Sequence, residues 1–194
     1  MSISADQTAR TAFKYGNKFM VLMWRLGLHH WGLRNRYVGY IMVITHTGRK
    51  TGRSRRTPVN YAIIDGDIYC VAGFGAVSDW YRNLVVNPSV EVWLPEGWWT
   101  GAATDLSEMP ADQRLPIMRQ VLINSGFAAY AAGVRPLSMS DTELAQVTAE
   151  YKLVRIQRTT PRTGPGGPGD LDWVWIAATG ALLLALLSRR RANK

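Results

Sequence analysis

Apolar positions over residues 8–28 recur with the period of a helix. Phe19, Leu22, Met23 and Leu26 lie on one face, and Arg10, Lys14, Lys18 and Arg25 on another. From Tyr40 the pattern shortens to that of strands. Ile41 to Thr45 is rich in β-branched residues, and the loop His46 to Ser54 ends it. Arg56 to Ile64 and Asp67 to Ala72 then flank Asp65-Gly66, a pair suited to a two-residue hairpin turn. Ser78 to Val86 reads as a short helix, with Ser78 placed to cap it, Asp79 in its first turn and Asn87-Pro88 as its stop. Val90 to Leu94 and Trp98 to Thr104 make a second hairpin around Pro95-Glu96-Gly97. Helices follow at Pro110 to Asn124 and Gly126 to Ala132, and Ser140 to Glu143 is a capping box opening a further one. Lys152 to Arg158 is the closing strand. Hairpins in succession, rather than alternating βαβ units, predict an α+β fold: a small β-barrel with flanking helices.

From Thr159 the chain turns rich in Pro and Gly, which predicts a linker over 161–170 after a barrel domain over 37–160, itself preceded by a helical region over 1–36. The terminal segment, 171–194, begins with an almost wholly apolar stretch, Leu171 to Leu187. Trp173 and Trp175 stand at its entry and Arg189 to Arg191 at its exit, as in a segment that anchors a protein in a membrane as a transmembrane helix.

With 194 residues the chain has room for one well-filled core, and its net charge is +9. Basic residues gather in three places: Arg49 to Arg56, Arg155 to Arg162, and Arg189 to Lys194. Such an excess suits an anionic small molecule, a membrane surface or nucleic acid. The last is disfavoured, because the arginines sit among Gly and Thr rather than among base-stacking aromatics. Cys70, the only cysteine, lies in an apolar strand and reads as an inert buried thiol. The polar N-terminus has no secretory character, so the expected location is the cytoplasmic face of the cell membrane. His29, His30 and His46 have no carboxylate partners or metal-ligand spacing, so structural roles and no metal site are expected. No Ser/His/Asp or Cys/His arrangement points to hydrolysis.

The chemistry concentrates in Thr45-His-Thr-Gly-Arg-Lys-Thr-Gly-Arg-Ser-Arg-Arg-Thr-Pro58. Gly48 and Gly52 permit tight backbone approach. The backbone N–H groups of such a turn can form an anion-binding nest, while arginine and lysine supply charge-assisted bonds to phosphate or carboxylate. The spacing is not that of a Walker A loop. Nor does Gly73-Phe-Gly75 extend to a dinucleotide fingerprint, since Ser78 stands at the third glycine position.

Three blocks in order resemble the deazaflavin (coenzyme F420)-dependent nitroreductase and quinone reductase family of split β-barrel oxidoreductases. They are Thr47-Gly-Arg-Lys-Thr-Gly-Arg with Arg56-Thr-Pro58, Ile64-Asp-Gly-Asp67 followed by Gly73 and Gly75, and Asp79-Trp-Tyr-Arg-Asn-Leu84 leading into Asn87-Pro88. The resemblance, which covers roughly residues 8 to 160, implies a split β-barrel of the FMN-binding type, to which the apolar run after 170 adds a C-terminal helix. It implies coenzyme F420, an 8-hydroxy-5-deazaflavin with a phosphodiester and an oligoglutamate tail, as hydride donor to a quinone, a nitroaromatic or a similar electron-poor acceptor. It assigns the phosphate and tail to Arg49, Lys50 and Arg56, and the ring to Trp80. Gly48, Thr51, Thr57, Pro58, Gly73, Phe74, Gly75, Asp79 and Asn83 complete the cofactor set. Phe74 stands where well-studied nitroreductase-like members carry a lysine. Phe127 and Tyr130 are the substrate-side candidates, with Tyr130 a candidate proton donor. FMN is the alternative cofactor, and a non-catalytic deazaflavin or lipid carrier the alternative role.

Overall fold

The computed structural model describes residues 15–28, 34–35 and 37–192. Helix α1 runs over 15–25; the expected helical residues before 15, and also His29, His30 and Lys194, lie outside the described residues. A two-residue strand β1 (Arg34–Asn35) pairs with β2 (Gly39–Thr47). There follow β3 (Ser54–Ile64), β4 (Asp67–Ala72), α2 (Asp79–Val86), β5 (Ser89–Leu94) and β6 (Gly97–Asp105). The chain ends in α3 (Ala111–Asn124), α4 (Phe127–Ala131), α5 (Asp141–Val147), β7 (Lys152–Arg162) and α6 (Trp173–Ala192).

The strands pair antiparallel in the order β2-β3-β4-β7-β6-β5, and β5 returns to β2 through Val43↔Trp93, Ile44↔Val92 and Thr45↔Glu91. Six strands therefore close into a barrel. The expected α+β split barrel is met. Strand alternation fills it: Met42, Ile44, Tyr61, Ile68, Cys70, Val92, Leu94, Val154 and Ile156 form the interior core. Burial pushes the Cys70 thiol pKa upward, as befits an inert core residue. Outward-facing residues make two further clusters. Met118, Leu122, Leu144 and their helices cover Leu153, Tyr69 and Val71 on one side. On the other, Trp24 of α1 packs on Val43, Trp93 and Trp98.

The Asp65-Gly66 turn forms as expected, with φ of 51° and 86° at its two residues. The capping box of α5 is complete, Ser140 and Glu143 exchanging both bonds. Ser78 occupies the N-cap of α2, but its side chain makes no capping bond, and its buried Oγ has no hydrogen-bond partner. The closing strand runs to Arg162 rather than Arg158. Trp98↔Arg162 and Trp99↔Pro161 extend its ladder with β6. Pairing with β4 stops at Ile156, so Pro161 sits at an edge where its missing N–H is tolerated.

The linker is not a loose tether. Gly169 N–H donates to Trp24 O at 3.0 Å and Leu171 N–H to Arg25 O at 2.9 Å, while Arg25 and Asp170 form a bidentate pair. Gly167 packs so tightly on Trp98 that a Cβ would fall 2.6 Å from the ring, so only glycine fits there. These contacts carry the chain into α6, whose Trp175 Nε1 donates to Leu26 O at 2.9 Å. The expectation of a membrane-crossing helix needs correction: among the described residues no helix is long and apolar enough to cross a membrane. The apolar part of α6, Trp173 to Leu187, spans about 22 Å, against the ~30 Å of a hydrocarbon core, before Ser188 and the arginines intervene.

Candidate cofactor site

One end of the barrel gathers the segments singled out in the sequence. There β2 passes into β3 through the loop 48–53, and β4 leads through the short turn Gly75–Val77 into α2. Gly75 is buried with φ +61°, and a Cβ there would overlap Glu150 O, so this turn requires glycine. Gly73 and the 62 % exposed Phe74 precede it at the surface.

The loop is closed by its own backbone. Gly48 N–H donates to Arg53 O, Thr51 and Gly52 N–H to Gly48 O, and Arg49 N–H to Asn83 Oδ1. The expectation of a backbone anion nest is thereby corrected for these four N–H groups, because each already has a protein acceptor. Charge recognition here belongs to side chains.

Those side chains divide sharply. Arg49 is committed to the protein: its Nη1 donates to Asn83 Oδ1 at 3.0 Å and pairs with Asp79 Oδ1 at 2.9 Å, tying the loop to the first turn of α2. Asp79 itself remains exposed. Lys50, Arg53 and Arg55 are exposed, and among the described residues none of them forms an ion pair. Arg55 Nε lies 2.8 Å from the point where a Gly48 side chain would begin, against the loop itself.

Arg56 is elsewhere. On strand β3 it points opposite to Arg55, to the outer face of the barrel. Its guanidinium sits 4.5 Å over the Trp93 ring, and Nη2 donates to Gly166 O at 2.6 Å. Burial lowers its pKa, with Arg25 adding to the effect and Asp170 and Glu91 opposing it. Arg56, expected to hold an anionic tail, is thus engaged by Trp93 and Gly166 on the outer face and is not brought to the loop.

Thr57 faces inward, its Oγ1 3.0 Å from His46 Nε2. Pro58 lies outward and, with Ile41, Asn60, Gly16, Asn17 and Met20, lines a cavity of about 410 Å³ beneath α1. Trp80 is half-buried against the barrel core, so it is both a core-packing residue and part of the surface beside the loop. A wider cavity of about 790 Å³ opens between Leu26, Pro95, Gly97, Pro168 and Trp175. It lies at the β5–β6 hairpin, and its charged lining residues, Glu96 and Asp172, have the wrong sign for a polyanion.

Phe127 and Tyr130 are exposed on α4. Phe127 N–H donates to Tyr37 O at 2.7 Å, two residues before β2 begins, whereas the loop follows the other end of β2. Nine residues of strand separate the two ends, about 30 Å. The structure thus brings together Gly48, Arg49, Lys50, Thr51, Asp79 and Asn83, and does not bring Tyr130 to them.

Sequence reasoning gives too little weight to His46 and Arg55. His46 is 4 % exposed, between Thr57 and Asn83. Its pKa is lowered to about 4, first by burial and then by Arg55, with Asp79 opposing. The signal that could have found them is parity: Met42 and Ile44 face the barrel interior, so His46 does too, and Arg55 shares a face with Thr57 while Arg56 does not.

The described residues thus form a closed antiparallel barrel with a cation-bearing, glycine-containing loop at one end. Residues 31–139 match the F420H(2)-dependent quinone reductase family, and the chain belongs to that family. It is an F420-dependent oxidoreductase. Among solved structures, it is similar to a conserved hypothetical protein of Mycobacterium tuberculosis, 19% identical, with a TM-score of 0.47 over 63% of this chain and 75% of that one. It is also similar to the F420-H2 dependent reductase FDR-A, 20% identical, with a TM-score of 0.44 over 60% of this chain and 93% of that one.

Proposed function

We propose that the chain reduces quinones, and by the same chemistry nitroaromatics, with reduced F420 as the hydride donor. The observation that carries the reading is the set Lys50, Arg53 and Arg55, exposed and, among the described residues, without ion pairs, on the loop and the first turn of β3 beside it, where Arg49 and Asn83 fix the loop's geometry. Three cations exceed what one phosphate monoester needs and suit a phosphodiester followed by carboxylates. The residues present therefore fit F420 better than FMN. Reduced F420 supplies a hydride equivalent when bound; the protein's part is to hold and orient it and to limit water access.

In this reading Lys50 and Arg55 hold the anionic tail, Arg53 adds to the field, and Trp80 offers an aromatic edge to the ring. Gly73 and Phe74 lie at the surface just before α2, where the ring or the acceptor would approach. Tyr130 has no assigned step. The test is anaerobic titration of the full chain with F420 and with FMN, followed by a panel of quinones and nitroaromatics with reduced F420. F420 should bind much the more tightly, and quinones should oxidise its reduced form. Equal FMN affinity would overturn the cofactor assignment, and turnover with nitroaromatics alone would overturn the quinone.

A further inference from the structure

His46, Asn83 and Arg49 form a chain of hydrogen bonds whose direction is fixed by its two ends. Arg49 contributes only donors, from its backbone N–H and from Nη1, and both reach the same Asn83 atom at 3.0 Å. That atom must be the carbonyl oxygen, so the Asn83 amide NH₂ faces His46 Nδ1 at 3.2 Å. Nδ1 must then accept, which places the ring proton on Nε2, directed at Thr57 Oγ1 at 3.0 Å. His46 and Asn83 are 4 % and 2 % exposed, so bulk water offers little compensation for a broken link. We propose that His46 is a positioning residue for the cofactor loop: as the neutral Nε2–H tautomer it fixes the Asn83 amide, which in turn holds Arg49 and the loop in register with α2.

The alternative states are each frustrated. A protonated His46 would set Nδ1–H against the Asn83 NH₂, donor against donor. Turning the Asn83 amide over to relieve this would set NH₂ against the Arg49 N–H. The charged groups facing the ring's surroundings are Arg55 from β3, Arg49 from the loop and Asp79 from α2. Arg55 disfavours protonation and Asp79 favours it, while burial reinforces Arg55. A buried histidine on a strand is thus linked through one amide to the segment that carries Lys50 and Arg55. The connection rests on the reading of that loop as the cofactor's anion site, though the tautomer does not.

Two measurements test it on the full chain. Nitrogen-15 NMR of histidine-labelled, cofactor-free protein, with His46 assigned by its loss in His46→Gln, should show a protonated Nε2 and a bare Nδ1 at pH 7. That state should persist well below pH 6.5. An Nδ1–H tautomer, or ordinary titration near 6.5, would overturn the proposal whatever F420 does. Asn83→Asp supplies the spectroscopic contrast, because a carboxylate cannot donate to Nδ1: His46 should take up a proton on Nδ1, and an unchanged spectrum would count against the link. The second measurement is F420 affinity by fluorescence. His46→Gln should weaken it about tenfold, the scale of one lost buried hydrogen bond, with melting and circular dichroism monitored alongside, and Lys50→Ala should weaken it too. Weakening by Lys50→Ala alone overturns the role of His46. No weakening by either variant means that the loop reading itself has failed.

Discussion

The arginines of the loop and the arginines of the clasp on the barrel's outer face share one composition and have opposite fates. Among the described residues Lys50, Arg53 and Arg55 remain exposed without ion pairs, whereas Arg25, Arg56 and Arg162 are consumed by internal partners. Arg25 holds Asp170, Arg56 covers Trp93 and bonds Gly166, and Arg162 covers Trp98 while pairing with Glu91. Arg55 and Arg56 are sequence neighbours, and one step along a strand sends them to different jobs. A basic cluster in a sequence is therefore a sum of two populations. Only the part left without protein partners is available to a ligand.

If the clasp is structural, its damage should appear in stability before it appears in binding. Trp93 is fully buried and stacks under Arg56, packs against Trp24 and pairs across the strands with Trp98. Trp93→Ala should cost about 3–5 kcal/mol and loosen the linker, read as a lowered urea midpoint and faster proteolysis near 163–170. A loss under about 1 kcal/mol would mean that the aromatic clasp is not holding this face together.

Acid should strike the loop side next. His46 has a folded-state pKa of about 4 against 6.5 for the free side chain. The unfolded chain therefore binds the proton more readily. The contribution to stability is complete above pH 6.5 and is lost as pH falls from 6.5 toward 4; it is about 3 kcal/mol at most. Urea unfolding at about pH 7.5 and about pH 4.5 should show this slope in the native chain and a shallower one in His46→Gln. Equal slopes would remove His46 as the cause.

The paired substitution Arg55→Ala and Arg56→Ala cuts the comparison at its narrowest point. Arg56→Ala should lower stability by about 1–2 kcal/mol through the lost cation–π contact and hydrogen bond, with F420 affinity nearly unchanged. Arg55→Ala should do the reverse, weakening F420 about tenfold with melting unaltered. Identical behaviour of the two variants in both assays would dissolve the distinction between loop and clasp.

Much of the architecture is legible in the sequence. The hairpins at Asp65-Gly66 and Pro95 to Gly97, the α5 capping box and the barrel itself follow from period and turn chemistry that local sequence carries. The loop announces itself by Gly48 and Gly52 among hydroxyls and cations. What stays hidden depends on distant partners. Arg56 finds Gly166, 110 residues away, and the Pro/Gly stretch that reads as a linker is pinned by Trp98, Arg25 and Trp24. His46 gains its place from Asn83 on a helix 37 residues downstream. The apolar run after Leu171 has a membrane-like composition, but it is cut short by Ser188 and the arginines, and the structure ties its start to Leu26 through Trp175.

The smallest predicted effect concerns Ser78, where a local rule and the structure disagree. A serine at an N-cap ordinarily stabilises a helix through its side-chain oxygen, and its replacement by alanine costs ~1 kcal/mol. In α2 that bond is not made, and Ser78 Oγ is buried without a partner, while Arg49 reaches Asp79 and its carbonyl at the same helix end. Removing an unsatisfied buried hydroxyl relieves a desolvation cost and forfeits no hydrogen bond. Ser78→Ala should accordingly fall within about 0.5 kcal/mol of the native chain, and on the stabilising side if it moves at all. A full capping penalty, measured by urea unfolding, would show that Ser78 caps α2 in solution.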